Sequence, residues 1–163
     1  MDNTADSGGS AARTDESRNM PRRCLFLDAV AHHEAGHAVA AIVSHVAIEY
    51  VTIEADGEAR GRVRCRKLPR TFEQRHTRGM IAVAGLAAQR RFNPRSLRWQ
   101  HGAGDRNEVA VHAMQVAGSA AQVRAVTTLW EIQARDFVEH RWPDIQRVAA
   151  ALLERKTLTG GEV

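Results

Sequence analysis

Residues 33–37 read His33-Glu34-Ala35-Gly36-His37. On a helix, two histidines four positions apart sit on one face, a turn apart, so both imidazoles can reach a single metal ion. Zn²⁺ takes His nitrogen at about 2.0–2.1 Å. The carboxylate of Glu34, between them, points toward the same pocket and can serve as base for a water that the metal activates. The chemistry implied is zinc-dependent hydrolysis, and the first substrate to consider is the peptide bond.

Two histidines do not complete such a site, because catalytic zinc ordinarily takes three protein ligands and keeps one position open. The metzincin arrangement needs a glycine and a third histidine further along the same segment. Ala40 and Val43 stand there instead, which excludes that subclass. The third ligand must come from elsewhere, and His101, Asp105, Glu108 and His112 are the candidates. Asp105 and Glu108 also have the spacing of a helix N-cap and its capping-box partner, so by spacing alone ligand and cap are equal alternatives for Asp105. His32, beside the motif, is expected at the surface.

The helix that must carry the motif is expected over residues 28–45, with Asp28 as N-cap and small or apolar residues at 30, 31, 38, 41 and 42. Gly36 costs helix propensity relative to alanine, and a residue that small lets another segment approach closely. Residues 48–55 alternate and are β-branched, predicting a strand that turns at Asp56-Gly57. In the next strand Arg60, Arg62, Arg64 and Arg66 share one face, and Gly61, Val63 and Cys65 the other. A second helix is expected over 71–92, with Thr71 and Gln74 in capping-box positions, an apolar second half that should be buried, and Asn93-Pro94 as its stop. After a loop at 95–104, helices are expected over 105–116, 119–141 (capped by Ser119 and Gln122) and 142–155, where Pro143 suits the first turn. Residues 157–161 are expected to close the chain loosely, and residues 1–22 to form a disordered tail.

These elements fit one domain over residues 23–163, mainly α with a small β-hairpin or sheet. Apolar content of 44% and charged content of 26% are those of an ordinary globular chain, while only 5% aromatics predict a core of Ala, Val, Ile and Leu. The net charge of +4 is carried by arginine, since Lys67 and Lys156 are the only lysines. So modest an excess is read as a solvated surface, and nucleic acid is not an expected partner. Two cysteines without a C-x-x-C exclude a disulfide framework and a cysteine zinc knuckle, and fit a reducing, cytoplasmic location. The longest apolar run, residues 81–88, is far below the roughly 20 residues of a membrane span, and no signal peptide is expected.

Four stretches, in order, resemble the zinc-protease domain of membrane-anchored AAA proteases of the FtsH type (peptidase family M41): residues 31–39 around the motif, 82–88, 102–105, and 149–160 with its T-L-x-G ending. The resemblance spans roughly residues 28–163. It implies a mainly helical, zincin-like fold, zinc as cofactor, and peptide-bond hydrolysis. It also implies His33, His37 and Asp105 as metal ligands, Glu34 as the catalytic base, and a strand near the zinc helix, in the region of residues 60–66, that can pair with an extended substrate. The chain departs from the pattern at Gly104, where the family has Asn, and at Gln89-Arg90, where it has an acidic pair. A G-x-x-x-x-G-K-[ST] phosphate loop and a membrane helix are also missing. The expected partner is therefore an unfolded or flexible polypeptide, with a separate ATPase or adaptor to deliver folded ones. The family's ring hexamers rest largely on its ATPase part, so a monomer or smaller homo-oligomer is expected. The alternative is a non-catalytic, zinc-binding interaction module on the same scaffold.

Overall fold

A computed structural model of the chain describes residues 22–55, 61–67, 69, 71–97 and 103–163. The tail up to residue 21, the Asp56-Gly57 turn, Arg60 and His101 lie outside the described residues. The architecture is mainly helical with a small sheet, as the sequence implies. In chain order the elements are α1 (Arg22–Val43), β1 (Ile48–Thr52), β2 (Arg62–Cys65), α2 (Phe72–Phe92), a single 3₁₀ turn (Pro94–Ser96), α3 (Ala103–Val116), α4 (Ala120–His140), α5 (Trp142–Arg155) and β3 (Thr157–Thr159).

Local chemistry accounts for most of the boundaries. Thr71 Oγ1 accepts the Gln74 N–H at 3.2 Å to open α2, and Ser119 Oγ accepts the Gln122 N–H at 3.3 Å to open α4. The reciprocal half of each capping box differs from expectation. Gln74 Oε1 is buried with no partner among the described residues, and Gln122 Oε1 takes the Gly118 N–H at 2.8 Å. Three expectations are corrected. α1 begins at Arg22, so Arg22 is not tail and Asp28 is no cap; it lies inside the helix, its carbonyl accepting His32 Nδ1–H at 2.8 Å. α3 begins at Ala103, so Asp105 belongs to its first turn and is not an N-cap. The tail after α5 is not loose. Lys156 turns the chain with φ 66°, and β3 then pairs antiparallel with β1.

The sheet order is β2-β1-β3, antiparallel throughout. Val63, Val51 and Leu158 align across it on the inner face, with Val51 and Leu158 fully buried. On the outer face Arg62, Thr52 and Thr157 align, as do Arg64, Tyr50 and Thr159. The inner face, α1 and α5 share one apolar core; a second core around Trp130 joins α2, α3 and α4. Helices α1 and α2 approach so closely at Gly36 that a Cβ there would lie 2.6 Å from Ala88 Cβ and 2.8 Å from the Ala84 carbonyl oxygen. No helix among the described residues is long and apolar enough to cross a membrane.

Candidate metal centre

The helical spacing of His33 and His37 delivers what it implies. Both lie in the middle of α1, both are buried, and their Nε2 atoms stand 2.9 Å apart. The first turn of α3 brings Asp105 to the pair, with Oδ2 3.0 Å from His33 Nε2 and Oδ1 3.6 Å from His37 Nε2. The three side chains form a potential metal-binding group. Of the other candidate ligands, Glu108 is exposed and His112 half-buried, and neither joins the cluster.

The hydrogen bonds fix the tautomers. His37 Nδ1 lies 2.7 Å from the Ile81 carbonyl oxygen, which can only accept, so Nδ1 carries the proton. His33 Nδ1 lies 2.9 Å from Oε1 of Gln89. The amide cannot be turned the other way. Its Nε2 faces the Ser96 carbonyl oxygen at 3.4 Å and Ser96 Oγ at 3.1 Å, and that hydroxyl donates its own proton to the Asn93 carbonyl at 2.7 Å. Gln89 therefore accepts from His33, and both imidazoles turn an Nε2 lone pair inward, toward each other and toward a carboxylate.

Two lone pairs 2.9 Å apart, facing an anion, repel unless a cation lies among them. A metal ion meets that need. Ligand atoms about 2.0–2.2 Å from one ion can be at most about 4.4 Å apart, and the three distances here are shorter. A proton meets it in the metal-free protein. Burial alone would lower the His37 pKa, but the hydrogen bond and charge of Asp105 outweigh it and raise it to about 9. Burial likewise works to raise Asp105, yet the hydrogen bonds from His33 and His37 prevail and hold its carboxyl well below the usual range.

Glu34 is buried beside the cluster at 6% exposure. Burial pushes its pKa up, against the opposing charges of His33, His37 and Arg62. Its carboxylate lies against Gly61, just before β2, where a Cβ would come within 2.5 Å of Oε1, which keeps the position to glycine unless the carboxylate moves. Gly85 of α2 is held to glycine in the same way by His37, whose ring occupies the space a Cβ would take.

Two neighbours differ from their sequence reading. His32 is buried rather than exposed, stacked on Phe92 at 4.0 Å and beside Trp142 at 5.4 Å. Gln89, noted in the sequence only as a departure from a family pattern, is the acceptor that orients His33, a candidate metal ligand. Its position one turn beyond Gly85, on the helix face turned to α1, is the signal that could have shown it. An apolar cleft of about 420 Å³ lies on the opposite face of α2, lined by Val83, Leu86, Val109 and Val138, and takes in none of the cluster.

No protein-family model matches the chain, and no curated protein matches it. Three candidate ligand atoms converge, neighbouring acceptors orient the two imidazoles, and the carboxyl group of Glu34 is buried beside them.

Proposed function

We propose that this chain is a zinc metalloendopeptidase of the M41 type, acting on unfolded or flexible polypeptides. The observation that carries the reading is the convergence of His33, His37 and Asp105 from two helices about 70 residues apart in sequence, with Glu34 buried beside them. His33, His37 and Asp105 would hold the zinc. When bound, zinc supplies Lewis acidity that acidifies water and polarises a carbonyl. Glu34, with its raised pKa, takes the proton from the attacking water and passes it to the leaving amine. Gln89 and the Ile81 carbonyl keep both imidazoles in the ligand tautomer throughout. The outer edge of β2 has no strand partner among the described residues, and its backbone groups can pair with an extended polypeptide. Residues 1–163 carry no phosphate-loop motif, so ATP-driven opening of folded substrates would come from outside this stretch.

The test is metal analysis of the purified protein joined to peptidase assays before and after chelation. Glu34→Gln is expected to retain one zinc per chain and to lose hydrolysis by about 10²-fold or more. Asp105→Ala is expected to lose zinc on dialysis. Equal turnover of an unstructured peptide by Glu34→Gln and the parent would remove Glu34 from the reaction.

A further inference from the structure

The apolar cleft behind α2 has a floor and a mouth of different chemistry. Val83, Val109 and Val138, from α2, α3 and α4, are buried at its base. The cleft exists because α2 packs on both α3 and α4 while those two meet far less. The small side chains of Ala87 and Ala110, which line it, do not fill the angle left between them. Protein interiors leave few voids larger than a water molecule, so about 420 Å³ is well beyond a packing fault. That size is in the range of small-molecule sites, which often form between the helices of a bundle. Apolar walls also hold water poorly, because a buried water needs about two to four polar partners.

The mouth is polar and carries a positive excess. Four arginines and two glutamates line the cleft: Arg90, Arg91, Arg106, Arg135, Glu131 and Glu139. Arg91 is committed, paired with Glu139 and lying 4.6 Å from the centre of the Trp142 ring. Arg106 is engaged as well. Arg90 of α2 and Arg135 of α4 are exposed, and neither pairs with an acid among the described residues. Glu131, one helical turn before Arg135, is the one other acid of the lining.

We propose that this cleft binds a medium-chain aliphatic carboxylate, its tail among the valines and its head at the mouth beside Arg90 and Arg135. A methylene takes roughly the 30 Å³ of a liquid water molecule, so the cleft has room for a chain of about ten carbons. Removing the tail from water supplies the affinity, and the charge of the mouth chooses the head: a carboxylate is drawn in and an ammonium is rejected. The cleft takes in neither the metal ligands nor Glu34, so this binding is independent of peptidase activity.

Titration calorimetry on the full chain tests it with octanoate, octanol and octylammonium, each below its micellar concentration. The three probes share a tail and differ in the head. Octanoate is expected to bind at one per chain and about tenfold tighter than octanol, as two exposed ion pairs imply, with octylammonium weakest. The spread should shrink as salt screens the mouth. Decanoate, with a longer tail, should bind about a further tenfold tighter than octanoate. Arg90→Gln together with Arg135→Gln should bring octanoate to the affinity of octanol. Ala110→Phe, which places a ring in the cleft, should abolish binding. Labelled valine methyl groups locate the ligand in the unmutated chain, whether or not that variant folds, and those of Val83, Val109 and Val138 should shift on saturation. No saturable binding of octanoate or decanoate would overturn the proposal, as would equal affinities for the three heads. So would an octanoate advantage that survives loss of both arginines, or valine signals at the cleft that stay unmoved at saturation.

Discussion

His33 and His37 each commit Nδ1–H to a neutral acceptor, and the two acceptors differ in how they can be altered. The Ile81 carbonyl belongs to the backbone of α2 and no substitution removes it, whereas Gln89 is a side chain. Gln89→Leu would strand a buried N–H on His33 and leave the ring free to turn. The expected result is a loss of zinc affinity of about 10–100-fold, read by competition with a chromophoric chelator, with Gln89→Glu restoring the acceptor and the affinity. Equal affinity in Gln89→Leu and the parent would show that packing alone holds the ring. Metal uptake should also depend on pH, in a direction set by His37. Its pKa near 9 means the metal-free site keeps a proton on the histidine pair across the neutral range. Zinc must displace that proton, so the competent form grows as pH rises toward 9 and affinity falls as pH drops. With one proton released, the decrease from pH 8 to pH 6 is about 100-fold. Calorimetry in buffers of different ionisation enthalpy checks this by counting the proton released at neutral pH, and a pH-independent affinity would contradict it.

At the scale of elements, the centre depends on how closely α1 and α2 run. Alanine is the better helix former by about 1 kcal/mol. Even so, Gly36→Ala should destabilise the fold by about 1–3 kcal/mol, because its methyl would meet Ala88 and the Ala84 carbonyl and force the helices apart. A urea titration with unchanged slope and lower midpoint is the expected outcome; a stabilised variant would mean the helices can separate without cost. The need for a small residue at position 36 is readable in the sequence, as are Thr71 and Ser119 as caps, the span of α5 and the pleat of β2. Each of these is written in residues close together along the chain. The start of α1 is hidden because residues 22–27 carry no cap and no clear apolar period. β3 is hidden because three residues are too few for alternation to register, and its pairing with β1 joins positions about 100 residues apart. Cap and ligand are equal alternatives for Asp105 by spacing alone, and only the approach of α3 to α1 brings it to His33 and His37. His32 and Gln89 are misread or passed over because a polar residue on a helix does not announce which neighbour will bury it.

Over the whole molecule, the two apolar cores meet along α2 and α4, and the candidate metal centre lies between them. α1 belongs to the core shared with the sheet and α5; α3 belongs to the core around Trp130 and packs on α2 and α4. α3 reaches α1 through Asp105, which meets His33 and His37. A zinc ion there would add a cross-link between two halves that otherwise communicate through α2 and α4. Its removal should therefore loosen the molecule unevenly. At zinc about 100-fold above its dissociation constant the linkage is worth about 2.7 kcal/mol, so chelation should lower the melting temperature by roughly 5–10 °C. Hydrogen exchange would locate the effect. Amides in the first turns of α3 should exchange faster in the chelated protein, while those of β1 and α5, enclosed in the other core, should keep their protection. Acceleration spread evenly over both cores would mean that α2 and α4 already lock the halves together and that the metal serves chemistry alone. Acceleration confined to α3 would make Asp105 a structural clasp as well as a ligand, with the same ion closing the fold around the centre it occupies.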